Sequence, residues 1–180
     1  MSVLSRFLGR PEDGSVVIEP LRRKHLDGVM AIESVSYPKP WSAKVFINEI
    51  EMMRRGERCY LVARQRNEVV GYAGAMFVVG DAHVTNIAVS PRAQRKGFAT
   101  RLLAELAWAS IEHGAVALTL EVRVSNIGAQ ALYERFGFES AGVRTKYYEN
   151  VEDAMVMWRH GIDEPHYRER LRALCPEAAR

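Results

Sequence analysis

A short basic segment between an apolar run and a long helical pattern has the composition of an anion-binding loop. The apolar run ends at Val89, a turn follows at Ser90-Pro91, and residues 94–97 read Gln-Arg-Lys-Gly. Gly97 would let the backbone approach an anion closely, and the unpaired N–H groups at the start of the helix would bind it. A plain strand–turn–helix connection with exposed basic residues fits the same pattern, so the segment alone leaves both interpretations open.

A second segment, residues 117–124, alternates in the manner of a β-strand. Its apolar residues share one face, whereas Glu121 and Arg123 share the other. Glu121 could therefore point into a cleft, or it could be a surface residue that pairs with Arg123. Ser125 and Asn126 follow directly, and both residue types cap helices.

Hydrophobic periodicity and turn residues predict the elements that must position these two segments. Strands are predicted over residues 16–19, 59–64, 68–79, 83–89, 117–124, 138–143 and 154–160, and helices over residues 21–34, 43–54, 98–113 and 127–136. A polar segment with two tyrosines, residues 144–153, is expected to join the last two strands. The strand–helix–strand unit in the middle predicts that residues 84–89 and 117–124 are parallel neighbours in a mixed α/β sheet.

The length of the chain favours one domain, which is expected over residues 16–160. Residues 1–15 are expected to be a flexible lead-in. Residues 161–180 are expected to be a peripheral tail that can form a short helix around residues 167–174.

Composition restricts the classes of protein that the chain can represent. The 180 residues include 25 Lys and Arg against 22 Asp and Glu, and the basic residues are scattered rather than clustered, which argues against a nucleic-acid binder. No apolar stretch approaches the roughly 20 residues that span a bilayer, so no membrane partner is expected. Cys59 and Cys175 fit no metal spacing and the five histidines form no ligand pattern, so a cytoplasmic protein without a metal site is expected.

Residues 94–99 match the Q/R-x-x-G-x-G/A signature of the GNAT family of acyl-CoA-dependent N-acetyltransferases. Further motifs that resemble this family are Asn86-Ile87-Ala88-Val89, Leu120-Glu121-Val122-Arg123 with Ser125-Asn126, Ala131-Leu132-Tyr133-Glu134 with Gly137-Phe138, and Tyr147-Tyr148. Together with Pro40-Trp41-Ser42, these motifs resemble in particular the bacterial ribosomal-protein-alanine N-acetyltransferases. The resemblance covers about residues 16–158.

The resemblance implies the GNAT fold, in which a mixed sheet of about six to seven strands has helices on both faces and acetyl-CoA binds where the central parallel strands splay. It implies acetyl transfer to the α-amine of a protein N-terminus, with ribosomal protein S18 as the expected acceptor. A small amine or a protein lysine is the alternative acceptor. The residues that match cofactor contacts are Ile87, Ala88 and Val89 for the pantetheine arm, Arg95, Lys96, Gly97, Phe98, Ala99 and Thr100 for the pyrophosphate, and Asn126.

The same resemblance assigns Glu121 as the general base and Tyr133 as the general acid. At pH 7 a neutral amine costs about 1.4 kcal/mol from an α-amine and about 5 kcal/mol from a lysine, so one glutamate suits the α-amine better. The pKa of a tyrosine exceeds that of a thiol by about 1.5 units. Tyr133 is therefore expected to stabilise the leaving thiolate by a hydrogen bond as much as to protonate it.

Each of these residues also has a purely structural interpretation. Ile87 to Val89 could be a plain core strand, Tyr133 could pack beside Leu132 and Phe136, and Asn126 could only cap a helix. The acceptor is expected to lie between loops that carry proline and aromatic residues, which are Tyr37, Trp41, Tyr147 and Tyr148. These loops could instead be a packed turn and a hydrophobic strand edge.

Overall fold

Seven strands and five helices follow one another in residues 16–178, the part of the chain that the computed structural model describes. The strands are β1 (Val16–Pro20), β2 (Arg58–Gln65), β3 (Glu68–Val78), β4 (Asp81–Val89), β5 (Ala117–Arg123), β6 (Glu139–Tyr148) and β7 (Glu152–His160). The helices are α1 (Leu26–Ser36), α2 (Ala43–Arg54), α3 (Phe98–Glu112), α4 (Ile127–Arg135) and α5 (Pro165–Leu174). The expected lead-in, residues 1–15, lies outside the described residues.

The strands form one mixed sheet in the order β1-β2-β3-β4-β5-β7-β6. Only β4 and β5 pair in parallel, which confirms the predicted parallel neighbours. Their ladder joins Asp81–Val84 to Ala117–Leu120 and ends there. Beyond that point β4 stays paired with β3, and β5 stays paired with β7. The two central strands therefore splay just where Glu121 follows the last paired residue of β5.

A β-bulge marks the same position on β4. Gly74 of β3 pairs with Asn86, but the next residue pairs with Val84, so Thr85 is the extra residue. The hydroxyls of Thr85 and Tyr60 lie 2.8 Å apart, within hydrogen-bond distance. A Cβ at Gly74 would lie 2.2 Å from the ring of Tyr60, so glycine is required for this close approach.

The helices cover both faces of the sheet, as a mixed α/β fold requires. Neighbouring residues of β2 show the division, because Leu61 and Ala63 belong to one buried cluster and Val62 belongs to the other. The first cluster takes its helical residues from α3, α4 and α5, and the second takes them from α1 and α2. The prediction of helices on both faces is confirmed.

The C-terminal tail is more deeply packed than its sequence suggests. The short helix around residues 167–174 is present as α5, but Ile162, Tyr167 and Leu171 are fully buried in the cluster that contains α3. The expectation of a peripheral tail is therefore wrong. Its charged residues face solvent and conceal a narrow apolar stripe, which is the signal that the composition obscured.

Two element boundaries differ from the prediction by five residues, whereas the others differ by at most two. The first helix begins at Leu26 rather than at Leu21, because the backbone N–H of Leu21 donates to the carbonyl of Tyr60 at 2.8 Å and extends the β1–β2 edge. Strand β6 continues to Tyr148, although residues 144–153 were expected to be a connecting segment. The polar sequence hid this strand because it is an exposed edge, with one neighbour and little apolar surface to bury.

Replacement of Leu171 by alanine tests the packing of the tail. Because this side chain is fully buried, its truncation should lower the free energy of unfolding by about 2–5 kcal/mol. Urea denaturation of the full chain measures the change. Glu169→Ala, at an exposed position of the same helix, should change stability by less than about 0.5 kcal/mol. Equal small effects for both variants would contradict the packing of α5 into the core.

Candidate active site

The splay of the central strands leaves one edge of β4 without a neighbouring strand. Ile87, Ala88 and Val89 lie on this part of β4 and pair with β3 on their other side. The hydroxyl of Tyr37 donates to the carbonyl of Ile87 at 3.3 Å. An edge of this kind offers backbone groups to an extended ligand that carries amides, in the way that a further strand would be added.

The basic loop leads from this edge into α3. Gly97 is the N-cap of α3 and has a φ of 82°, a left-handed conformation that favours glycine. The first helical hydrogen bond runs from the N–H of Arg101 to the carbonyl of Gly97 at 3.0 Å, so the N–H groups of Phe98, Ala99 and Thr100 precede the helical ladder.

The side chains around the start of this helix have two roles: one anchors the helix in the core, and the others carry positive charge. Phe98 is buried in the core and fixes the first turn, whereas Arg95 and Lys96 are exposed. The arrangement combines free backbone donors, the positive end of the helix dipole and two exposed cations. It can therefore bind a phosphate group.

Glu121 lies where the two central strands part, and its carboxylate is largely shielded from solvent. Its side chain is only 9% exposed. Nε2 of His83 lies 3.0 Å from one carboxylate oxygen, and Nη1 of Arg144 lies 2.9 Å from the other. The alternative of a surface pair with Arg123 is wrong, because Arg123 bonds to Glu149 and Glu152 instead.

His83 contributes a neutral hydrogen-bond donor to this cluster. Burial lowers the pKa of His83, and the charge of Arg144 acts in the same direction, against the opposing effect of Glu121. A neutral imidazole with its proton on Nε2 can donate to the carboxylate. Glu121 therefore faces one full positive charge, that of Arg144.

Arg123 fastens the β6–β7 hairpin to the end of β5. Its guanidinium donates to the carboxylates of Glu149 and Glu152 at 2.7–2.9 Å and lies 4.1 Å from the ring centre of Tyr148. Burial opposes the charge of Arg123, but the hydrogen bonds that it donates to both carboxylates outweigh this effect and raise the pKa of the guanidinium. Glu152 also accepts from the backbone N–H and the hydroxyl of Ser125.

Helix α4 holds Tyr133 next to this cluster. Asn126 is the N-cap, and its Oδ1 accepts from the N–H of Ala129 at 3.1 Å, so the capping role is present. The amide of Gln130 donates to the carbonyls of Arg123 and Val124 and fixes the helix to the end of β5. Tyr133 follows almost one turn later, and its ring lies in the core beside Phe138.

Three predicted tyrosines converge at the splay. The hydroxyl of Tyr148 donates to the carbonyl of Glu121 at 3.1 Å, and Tyr37 and Tyr133 lie close enough to Tyr148 that ionisation of one phenol would disfavour ionisation of another. Burial raises the pKa of Tyr37 and of Tyr133, and burial together with Tyr147 raises the pKa of Tyr148 to about 12. All three therefore remain protonated donors at neutral pH. Tyr147 is about half exposed and stacks edge-on against Tyr148.

The connection between α1 and α2 is held by a buried carboxylate. Glu33 accepts from the backbone N–H of Trp41 at 2.8 Å and from the hydroxyl of Tyr72 on β3. The ring of Trp41 packs against Phe46, 5.6 Å between centres. The connection that carries Tyr37 and Trp41 reaches β4 through the bond from Tyr37 to Ile87, and the β6–β7 hairpin reaches β5 through the bond from Tyr148 to Glu121. Both elements therefore border the splay, and we call the space between them the cleft.

The sequence did not identify four residues as part of the site: Glu33, Tyr72, His83 and Arg144. His83 had a usable signal, because it occupies the paired part of β4 on the same side as Glu121. Arg144 had no such signal, because its segment was expected to be a loop rather than a strand of the sheet. Only the sheet order brings β6 near enough to β5 for the contact.

The described chain has a further groove that lies away from this site. A groove of about 860 Å³ opens at the opposite end of the sheet, between Ile50, Leu61, Phe77 and Ala109, and includes none of the predicted site residues. Residues 16–178 contain no cluster of three or more His, Cys, Asp or Glu that could hold a metal ion. None of the helices described is long and apolar enough to cross a membrane.

Comparison with known proteins identifies the class. The sequence profile of the Acetyltransferase (GNAT) family matches residues 26–138. The chain therefore belongs to the GNAT family of acetyltransferases. The ribosomal protein bS18-alanine N-acetyltransferase of Escherichia coli (strain K12) is 37% identical over 145 residues, which cover 78% of this chain and 94% of that protein.

Solved structures agree with this assignment. The crystal structure of the ribosomal-protein-S18-alanine N-acetyltransferase from Escherichia coli is similar with a TM-score of 0.73 and 32% identity, and the match covers 82% of this chain and 94% of that one. The structure of the acetyltransferase yncA from Salmonella typhimurium with its cofactor acetyl-CoA is similar in fold, with a TM-score of 0.74, 16% identity and coverage of 83% and 95%.

Replacement of Arg123 by glutamine tests the attachment of the hairpin. Without its charged hydrogen bonds, amide hydrogen exchange over residues 147–153 should accelerate about five- to tenfold, while exchange in α3 stays unchanged. Mass spectrometry of the exchanging full chain measures both regions. Arg135→Gln removes an exposed arginine of α4 and should leave the hairpin as it is. Unchanged exchange in the Arg123 variant would show that the hairpin does not depend on these bonds.

Proposed function

We propose that the protein transfers an acetyl group from acetyl-CoA to the N-terminal α-amine of a protein, with the N-terminal alanine of ribosomal protein S18 as its acceptor. The observation that carries the proposal is the position of the Glu121 carboxylate at the point where β4 and β5 part. The edge of β4 that would bind acetyl-CoA, the carboxylate that would act as base and a tyrosine hydroxyl that can donate a hydrogen bond lie near this point. Similarity to the enzymes named for bS18 supports the choice of acceptor.

The donor would lie along β4 and the start of α3. The amides of the pantetheine arm would pair with the backbone of Ile87, Ala88 and Val89, and the pyrophosphate would bind the N–H groups from Gly97 to Thr100. The exposed side chains of Arg95 and Lys96 would add positive charge beside the pyrophosphate. Asn126 already caps α4 through its Oδ1, which leaves its Nδ2 as the group available to the cofactor.

The acceptor amine must lose a proton before its nitrogen attacks the thioester carbonyl. Glu121 would accept this proton, directly or through one water. The free-energy cost of a neutral α-amine at pH 7 is about 1.4 kcal/mol, which one carboxylate can offset. The nitrogen lone pair then forms the bond to the carbonyl carbon as the carbon–sulfur bond breaks, and the nitrogen releases its second proton to solvent to leave the neutral amide.

Tyr133 would act on the departing sulfur. Its raised pKa makes complete proton transfer to a thiolate more uphill than for a free tyrosine. A hydrogen bond from the hydroxyl stabilises the developing negative charge without that cost. The thiolate of CoA can then take its proton from solvent.

The acceptor peptide would enter between the two walls of the cleft. Tyr37 and Trp41 would line one wall, and Tyr147 and Tyr148 would line the other; the contacts of Tyr37 with Ile87 and of Tyr148 with Glu121 support this arrangement. These aromatic side chains have few rotatable bonds, so they bind a peptide backbone at a low entropic cost. A ribosomal acceptor implies that the protein acts in the cytoplasm.

Acetyl transfer to a matched peptide panel tests the proposal. The peptides share the S18 N-terminal sequence and carry a free α-amine, a blocked α-amine, or a blocked α-amine with one added lysine. Radiolabel from acetyl-CoA should enter only the peptide with the free α-amine. Labelling of the blocked peptide with lysine would overturn the α-amine assignment. Equal rates on free α-amines of unrelated sequence would overturn S18 as the specific acceptor.

Replacement of Glu121 by glutamine should remove the base and keep the size of the side chain. Turnover at neutral pH should fall about 100-fold, and the loss should shrink as the pH rises above the pKa of the acceptor, because the amine is then neutral without help. Steady-state rates across the pH range measure this. A loss of the same size at every pH would refute the role as base.

A further inference from the structure

The contact between Arg144 and Glu121 crosses an intervening strand. Glu121 on β5 and Arg144 on β6 are separated by β7, where they lie beside Val156 and Ala154 respectively. The small side chain of Ala154 and the missing side chain of Gly142, which pairs with Val156, leave space for the long arginine to reach over β7. The guanidinium arrives 2.9 Å from the carboxylate.

The two partners differ sharply in exposure. The side chain of Arg144 is 56% exposed, whereas that of Glu121 is 9% exposed. The guanidinium of Arg144 also lies 5.5 Å from the ring centre of Tyr147, and it borders the solvent side of the carboxylate. An acceptor that approaches Glu121 from the cleft must come within a few ångströms of this cation, at the site where its own ammonium would otherwise pair with the carboxylate.

A lone carboxylate beside a bound amine has two opposing effects on the reaction. It can accept the proton, but its charge also stabilises the ammonium form and so disfavours the neutral amine that reacts. A nearby cation cancels this second effect and repels the ammonium. We propose, resting on the function proposed above, that Arg144 is a positioning residue that neutralises Glu121 and keeps the bound acceptor amine uncharged.

Other groups around Glu121 do not supply this charge. His83 is the second partner, and burial and Arg144 favour its neutral form. Tyr148 and Tyr133 are protonated and neutral. Arg123 forms ion pairs with Glu149 and Glu152 rather than with Glu121.

On the opposite wall, the Glu33 carboxylate is engaged by Tyr72 and by the backbone of Trp41. The hydroxyl of Tyr37 donates to Ile87. Among the described groups that face Glu121, Arg144 is thus the cation positioned to balance it.

Replacement of Arg144 by glutamine should have a signature that loss of structure would not produce. In the variant the ammonium takes the place of the guanidinium on Glu121 and is bound more tightly in its unreactive form. The acidic limb of the kcat profile, measured at saturating acceptor, should move to higher pH by about 0.5–1 unit. Below that limb, kcat and the KM for the acceptor should both fall, about three- to tenfold for kcat.

Two further variants separate the charge from its position. Arg144→Lys keeps the charge and should retain the wild-type limb. Lys146→Gln removes a cation from the same strand whose backbone N–H bonds Asp153, and it should leave the pH profile unchanged. The proposal is overturned if Arg144→Gln lowers kcat equally at every pH, if its KM for the acceptor rises, or if either control moves the limb as far.

A measurement without acceptor or acetyl-CoA distinguishes this inference from the proposed function. Because the charge of Arg144 lowers the pKa of His83, Arg144→Gln should raise the pKa of this imidazole, observed by NMR titration of the full chain. An unchanged His83 titration overturns the inference even if the enzyme is active. If no peptide of the panel is acetylated by the wild-type protein, the proposed function fails, and the His83 titration still decides whether Arg144 acts on this cluster.

Discussion

The end of the β4–β5 ladder is the constraint on which the rest of the site depends. Backbone donors and acceptors inside a sheet are normally paired, and an unpaired buried group carries a cost of about 1–3 kcal/mol. Here the two central strands separate after Val84 and Leu120, each still supported by its outer neighbour. The sheet therefore remains intact while one edge of β4 is available to a ligand. The bulge at Thr85 changes the local direction of β4 at the same level.

Charge is balanced locally around this opening. A carboxylate that is shielded from solvent and has no partner would destabilise the folded state. Glu121 is instead paired with a neutral imidazole and one guanidinium. Arg123 is balanced separately by two carboxylates of the hairpin. The two arginines have different partners. The arginine that holds the hairpin and the arginine beside the proposed base can therefore be substituted independently.

Both walls of the cleft depend on side chains that the chain order does not connect. Glu33 ties the α1–α2 connection to β3 through Tyr72, and Arg123 ties the β6–β7 hairpin to β5. Local pattern identified the helices and strands that carry these residues, since α2 lies within its predicted bounds and β5 differs by one residue. It missed the end of β6, because an exposed edge strand lacks the apolar alternation that identifies a strand. It also misplaced the tail, whose apolar stripe is narrow and surrounded by charge.

The sequence by itself determined the parallel strand–helix–strand unit, the glycine at the start of α3 and the alternation that sets Glu121 apart from the apolar face of β5. These follow from local rules, in which periodicity, capping and left-handed backbone geometry act within a few residues. The tertiary structure alone decided which cation faces Glu121, because the sheet order places β7 and then β6 beside β5. Arg123 is two residues from Glu121 in the chain and binds elsewhere, whereas Arg144 is brought to it across a strand. Long-range strand pairing, which no local pattern encodes, selects between the two.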